Sequence, residues 1–190
     1  MEQSRDTRSG FRQLSILIAV ATIDLMGAAM VFPLLPYYAT QLNSSPVMIG
    51  VIFSSFSVAQ LVAAPIWGRV SDRYGRRPAL LIGLLALSMG YLLFGFANSK
   101  WLLLLARVIQ GAGGGTTGVT QAYVADTVRP EDRARALGWL SAGTNVGTML
   151  GPAFGMVLAR HGQAAPGVVA AALCTLNLIF AWKWLPESRK

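Results

Sequence analysis

Charge is what this 190-residue chain most lacks. Only 13% of its residues are Asp, Glu, Lys or Arg, where a soluble domain carries about a quarter. The few charges are bunched, leaving long segments with one or none. That composition excludes an ordinary water-soluble globule and points to a polytopic membrane protein. Cysteine is nearly absent as well. Cys174 has no partner in the chain, so no intrachain disulfide can form, and within its apolar run it reads as a small buried hydrophobe. The lone histidine, His161, sits beside Arg160 and Gly162 and reads as a solvated loop residue. No group of Cys, His, Asp and Glu has metal-ligand spacing, and no nucleophile is arranged with a base. The chain reads as a non-enzyme with neither metal nor cofactor.

Nucleic-acid binding is excluded on similar grounds. The net charge is +8, but no basic patch is interleaved with aromatics. Most arginines lie beside the ends of apolar runs instead, as the positive-inside rule requires. The glycine run 111–115 is no phosphate loop either, because no strand precedes it and no Lys-Ser/Thr follows.

Apolar runs fill the rest. A membrane helix needs about 20 apolar residues, and six segments qualify: 14–38, 47–67, 78–97, 101–125, 137–159 and 166–185. The fold class is therefore all-α, a single six-helix transmembrane domain over residues 1–190, with membrane lipid as its surroundings. Arg5, Arg8 and Arg12 before the first run resemble the start of a signal peptide. The run exceeds the ~7–15 residues of a signal h-region, so it reads as an uncleaved first span. Thirteen Lys and Arg fall on one side of the six spans and two on the other, Lys100 and Arg160. Both termini, with Arg189 and Lys190, are expected in the cytoplasm.

Several residues stand out against this background. Asp24 lies about ten residues into the first span, ~15 Å deep at ~1.5 Å per residue. A carboxylate there costs at least ~2.5–3.5 kcal/mol, so it faces a cavity, a partner or a proton. It is a candidate to load and release a proton or to bind substrate; the alternative is a hydrogen-bonded structural residue. Arg107 lies within the fourth span, followed by Gln110, Gly111, Gly114, Gly118 and Gln121 at helical spacing, a candidate cavity wall. Arg107 either acts on that cavity or snorkels outward to headgroups. Depth counted from opposite ends places Asp24 nearer Gly115 than Arg107, so no direct Asp24–Arg107 pair is expected. Pro33, Pro36, Pro65 and Pro152 fall inside apolar runs and are expected to mark bends. Gly143, Gly147, Gly151 and Gly155 recur every four residues and make one smooth helix face on which another helix can pack closely.

Between the second and third runs lies a basic island, Gly68-Arg69-Val70-Ser71-Asp72-Arg73-Tyr74-Gly75-Arg76-Arg77-Pro78, expected as a short loop at the membrane surface. Its pattern, G-x-x-x-D-R-x-G-R-R, resembles the signature of the major facilitator superfamily of transporters. Arg107-Val108-Ile109-Gln110-Gly111 resembles that superfamily's proton-coupled motif. Gly138, Gly147, Gly151, Pro152 and Gly155 resemble its drug-antiporter motif in helix 5. Asp24-Leu25-Met26-Gly27, Ala125-Asp126 and Leu185-Pro186-Glu187-Ser188 are also similar to drug and tetracycline exporters.

The resemblance implies the N-terminal half of a twelve-helix transporter built of 3+3 inverted repeats, in a bacterial inner membrane. Its coupling ion would be a proton and its substrate a small amphipathic compound or drug. Asp24 would be the coupling or substrate site, with Arg107, Gln110 and Gln121 around it. Gly68, Asp72, Arg73, Gly75, Arg76, Arg77 and Asp126 would form the cytoplasmic gate. Within it Asp72 would cap a helix of the second half, and Arg76 would pair with Asp126. The face Gly143–Gly155 would suit contact with another copy or a partner chain. Tetracycline exporters carry an acidic residue just before the tyrosine matching Tyr91; here it is Gly90, which puts metal–tetracycline recognition in doubt. Two other expectations remain open: a half-length protein that only assembles with a partner, and the same fold carrying a metabolite.

Overall fold

The computed structural model describes the backbone of residues 2–185 and the side chains of residues 14–185. Arg5, Arg8, Arg12, Pro186, Glu187, Ser188, Arg189 and Lys190, which entered the sequence reading, therefore lie outside the described side chains.

Local chemistry sets the helix limits. α1 (Glu2–Val31) ends where Pro33 opens a single 3-10 turn, and α2 (Leu35–Gln41) resumes the same span. Ser45 caps α3 (Pro46–Tyr74), its Oγ accepting from the Met48 amide at 3.3 Å, with Pro46 at the first helical position. α4 covers Arg76–Gly95. Ser99 caps α5 (Lys100–Gly114) through the Leu102 amide at 3.2 Å. After a break at Gly115 and Thr116, α6 runs Thr117–Thr127. A 3-10 turn leads into α7 (Arg133–Ala159), and α8 (Ala164–Trp184) completes the described chain. No strand occurs among the described residues. The all-α reading holds.

One expectation needs correction. The basic island is not a loop: α3 continues through Gly68 to Tyr74, and only Gly75 separates it from α4. Gly75 adopts φ 105°, which a residue with a Cβ rarely reaches, so the reversal is made in one residue. Pro65 and Pro152 lie inside continuous helices, whereas Pro33 opens the 3-10 turn that ends α1. Of the six expected segments, four are continuous helical spans long and apolar enough to cross a membrane: Leu14–Gln41, Pro46–Tyr74, Arg76–Gly95 and Ala164–Trp184. The fourth expected span is divided into α5 and α6. The fifth, α7, has the length, but its glycines with Thr144, Asn145 and Thr148 dilute its apolar character.

The α5–α6 break frees backbone carbonyls at a depth where water is scarce. Side chains supply the missing donors. Trp67 Nε1 and Gln60 Nε2, both on α3, donate to the Ala112 and Gly114 carbonyls at 2.6 and 3.1 Å. Thr116 and Thr117 hydroxyls donate to Gly113 and Gly114. The break is satisfied from within.

α7 packs along α1, α4 sits between α5 and α8, and α3 lies against α5. The α7 glycines explain the first of these contacts. A Cβ at Gly147 or Gly155 would collide with the Thr22 or Met30 carbonyl, and one at Gly143 or Gly151 with side chains of Thr22 or Ala29. This face is therefore filled by α1 of the same chain, because only glycine lets two backbones approach so closely. This is the close helix packing that the glycine spacing implies, and with α1 in place the face is not open to another copy or a partner chain. Gly138 stands apart, exposed and with open space around it. α8 is pinned by polar contacts: Asn177 Nδ2 donates to the Val20 carbonyl at 2.8 Å, and Ser88 and Thr175 hydroxyls meet at 2.7 Å. Cys174 is buried between them, its thiol donating to the Leu84 carbonyl.

Gly147→Ala should lower stability by about 1–3 kcal/mol, the scale of overpacking, whereas Gly138→Ala should leave it unchanged. Thermal unfolding in detergent reads the difference, and equal melting temperatures would contradict the α1–α7 contact.

Candidate functional site

The polar side chains gather in two places. The first is a small cavity of about 80 Å³ among α1, α4, α6 and α7. Asp24 and Leu25 of α1 form one wall, Thr116, Thr117, Thr120 and Gln121 a second, and Ser141 and Thr144 of α7 a third. Thr116, Thr117, Thr120 and Thr144 each donate to a backbone carbonyl three or four residues back. Their hydroxyl protons are thus committed, and their oxygens remain as acceptors. The cavity has room for a few waters, far less than the ~300–1,000 Å³ that encloses a drug-sized ligand. Asp24 is half-buried, and its Oδ1 is buried without a hydrogen-bond partner.

Arg107 is not in that cavity, and it does not snorkel. It is 2% exposed. Its Nη1 donates to Gln110 Oε1 at 2.8 Å, and Gln110 Nε2 donates to the Gly90 carbonyl at 3.0 Å. The guanidinium lies over the rings of Phe56 and Phe32, 4.7 and 5.6 Å from their centroids. Cation–π contact substitutes in part for a missing counter-ion, yet Nε and Nη2 remain without partners. No Asp24–Arg107 ion pair occurs among the described residues, in keeping with the depth count.

The expected stripe is accordingly divided. Gln110 faces α4, Gly111 and Gly114 abut α3, Gly118 is open, and only Gln121 reaches the cavity. The break after Gly114 explains this, since one face is not carried across an interrupted helix. Sequence reasoning did not assign Tyr91 a role. It is 1% exposed, its hydroxyl has no partner, and both Asp24 and Arg107 lie within its electrostatic reach. An aromatic residue in an apolar run gives no signal of such a position. The cavity threonines were missed too, because an intrahelical break is not visible in composition.

The second place is the end of α3. Arg76 Nη1 meets Asp72 Oδ1 at 2.8 Å and Ser71 Oγ at 2.7 Å, and its Nε meets Asp126 Oδ2 at 3.1 Å. One cation thus joins α3, α4 and α6. Arg73 stacks over the neighbouring Tyr74 ring, and Arg77 donates to the Trp182 carbonyl of α8. The carboxylates are partly exposed, 59% for Asp72 and 38% for Asp126, so each pair contributes roughly 0.2–1 kcal/mol. That is weak enough to break and remake.

The Major Facilitator Superfamily profile matches residues 17–190. The chain belongs to the major facilitator superfamily. It is 31% identical to the class B tetracycline resistance protein of Escherichia coli, covering 92% of this chain and 44% of that protein. It is 35% identical to the class C protein of the same organism, covering 93% and 46%. Multidrug resistance protein 1 of Bacillus subtilis (strain 168) is 33% identical, again over 93% and 46%. Among solved structures, the human organic anion transporter MFSD10 (TETRAN) superposes with a TM-score of 0.82 at 25% identity, over 95% of this chain and 49% of that one. The chain spans about half the length of the relatives it matches. Family and apolar helices together make it a multi-pass membrane protein.

Gly90 differs from the acidic residue that the resemblance associates with tetracycline exporters, and here there is no space for one. A Cβ at Gly90 would lie 2.7 Å from Gln110 Cγ and 3.1 Å from the Gln110 amide. Gly90→Asp is expected to displace Gln110 and lower stability by about 1–3 kcal/mol. Unchanged thermal unfolding in detergent would contradict the tight Gly90–Gln110 contact.

Proposed function

We propose that this chain is the N-terminal half of a proton-coupled exporter of small amphipathic compounds, working by alternating access. The observation that carries the reading is Asp24. It is a carboxyl at membrane depth, on a cavity wall, with a buried oxygen that no group among the described residues satisfies. A lone carboxylate there is costly, so a proton or the cationic part of a substrate would neutralise it. Competition between the two is a means of exchange. Arg107, Gln110 and Tyr91 lie outside the cavity, with Tyr91 in electrostatic reach of both Asp24 and Arg107, and Gln121 with the threonine oxygens would hold water beside Asp24. The family's half-and-half construction supports a cavity completed by a second six-helix half, with rocking of the repeats exposing it to each side in turn.

Asp72, Arg76 and Asp126 would form the latch of the inner side, with Gly68, Arg73, Gly75 and Arg77 shaping it. The lysine and arginine distribution supports a cytoplasmic location for this end and for both termini. Similarity to bacterial resistance proteins supports a bacterial inner membrane. The crowded Gly90 favours amphipathic cargo other than metal–tetracycline. A metabolite cargo would use the same machinery; no observation favours it.

Two experiments address these roles in the transporter completed by its second half. Asp24→Asn should reduce proton-driven efflux in inverted vesicles by about 10²-fold, the scale on which a proton-transfer group acts, with expression intact. Normal efflux would remove Asp24 from the mechanism. Asp72→Asn and Asp126→Asn should each raise thiol labelling of cysteines placed at the inner mouth by about 1.4–5-fold, from ~0.2–1 kcal/mol per pair. Unchanged labelling and transport would sink the latch.

A further inference from the structure

The outward faces of α4 and α8 enclose a second hollow, distinct from the cavity at Asp24 and from the Arg76 cluster. It is an apolar groove of about 340 Å³ lined by Leu81, Ile82, Leu85, Leu178, Ile179 and Trp182. Ile82, Leu85, Ile179 and Trp182 are well exposed on it. Both helices are long and apolar enough to cross a membrane, so the groove faces hydrocarbon.

The charge at its mouth distinguishes among lipids. α4 and α8 carry no Asp or Glu, and their basic residues, Arg76, Arg77 and Lys183, all sit at one end. Arg76 is engaged with Asp72 and Asp126. Arg77 reaches across from α4 to the Trp182 carbonyl, which puts its guanidinium at the mouth of the groove, and the exposed Lys183 follows Trp182 in the last turn of α8. Leu81, Ile82 and Leu85 follow Arg77 by ~6–12 Å at ~1.5 Å per residue, within the ~15 Å depth of one leaflet. Trp182 and Trp184 are exposed at the same end, as in an interfacial aromatic belt.

We propose that this groove binds an anionic glycerophospholipid, its phosphate at Arg77 and Lys183 and one acyl chain along α4 and α8. A zwitterionic lipid would bring its own cation towards two basic side chains. A second copy docking by the same face about a two-fold axis would bring like charges together. The inference rests on the membrane-spanning character of α4 and α8 and is independent of what, if anything, is transported.

Native mass spectrometry of the detergent-purified chain, titrated with phosphatidylglycerol or phosphatidylcholine of matched acyl chains, tests it. Phosphatidylglycerol should be retained preferentially. Lys183→Gln should reduce that preference about fivefold, the equivalent of ~1 kcal/mol per basic residue near a membrane surface, without touching the Arg77–Trp182 contact. Leu85→Trp, which fills the groove, should reduce retention of both lipids. The Arg133→Gln and Arg135→Gln double variant, altered at exposed positions of α7, should retain the full preference. Equal retention of the two lipids would overturn the proposal. So would a preference that survives both groove variants, one lost in the α7 double variant, or a dimer that forms through this face in place of lipid.

Discussion

The break between α5 and α6 leaves backbone carbonyls at membrane depth, where hydrocarbon offers them nothing. That constraint, that polar groups must find partners inside the bundle, governs the rest of the structure. Trp67, Gln60, Thr116 and Thr117 supply the donors, and two of them arrive from α3. The break thereby ties α3 to α5 and places Thr116 and Thr117 on the wall of the cavity that Asp24 shares. A local defect in one helix becomes both a packing device and a cavity wall.

The same constraint separates two arginines of like chemistry. Arg76, at a helix end, finds two carboxylates with access to water, and its pairs are weak and reversible. Arg107 is enclosed, and a rigid set of neighbours, Gln110, Phe56 and Phe32, holds it where no carboxylate pairs with it. The first arrangement suits a contact that must open. The second suits a fixed, enclosed charge.

Much of this was legible beforehand. The basic island, the Arg107–Gly111 run and the α7 glycines carried the resemblance to the family, which the family profile bears out over residues 17–190. The absence of an Asp24–Arg107 pair followed from depth alone. Other features were not legible. The glycine spacing implied tight packing, but periodicity states which face is smooth, not which helix covers it; α1 does. The basic island looked like a loop because its charges exclude it from lipid. A helix can nevertheless project past the membrane surface, and a single Gly75 can turn the chain.

By itself, the sequence determined the class of the molecule and its family. Hydrophobic runs of spanning length allow little else, and the spacing of charges and glycines is specific to the motif. The tertiary structure decided which polar groups meet. Arg76 joins Asp126 across 50 positions, Asn177 reaches Val20 across 157, and Asp24 shares a cavity with Thr144 while Arg107 is shut away from it. Those pairings depend on where helices cross and where one of them breaks. Crossing points are set by close backbone approach between distant segments, which no local pattern encodes.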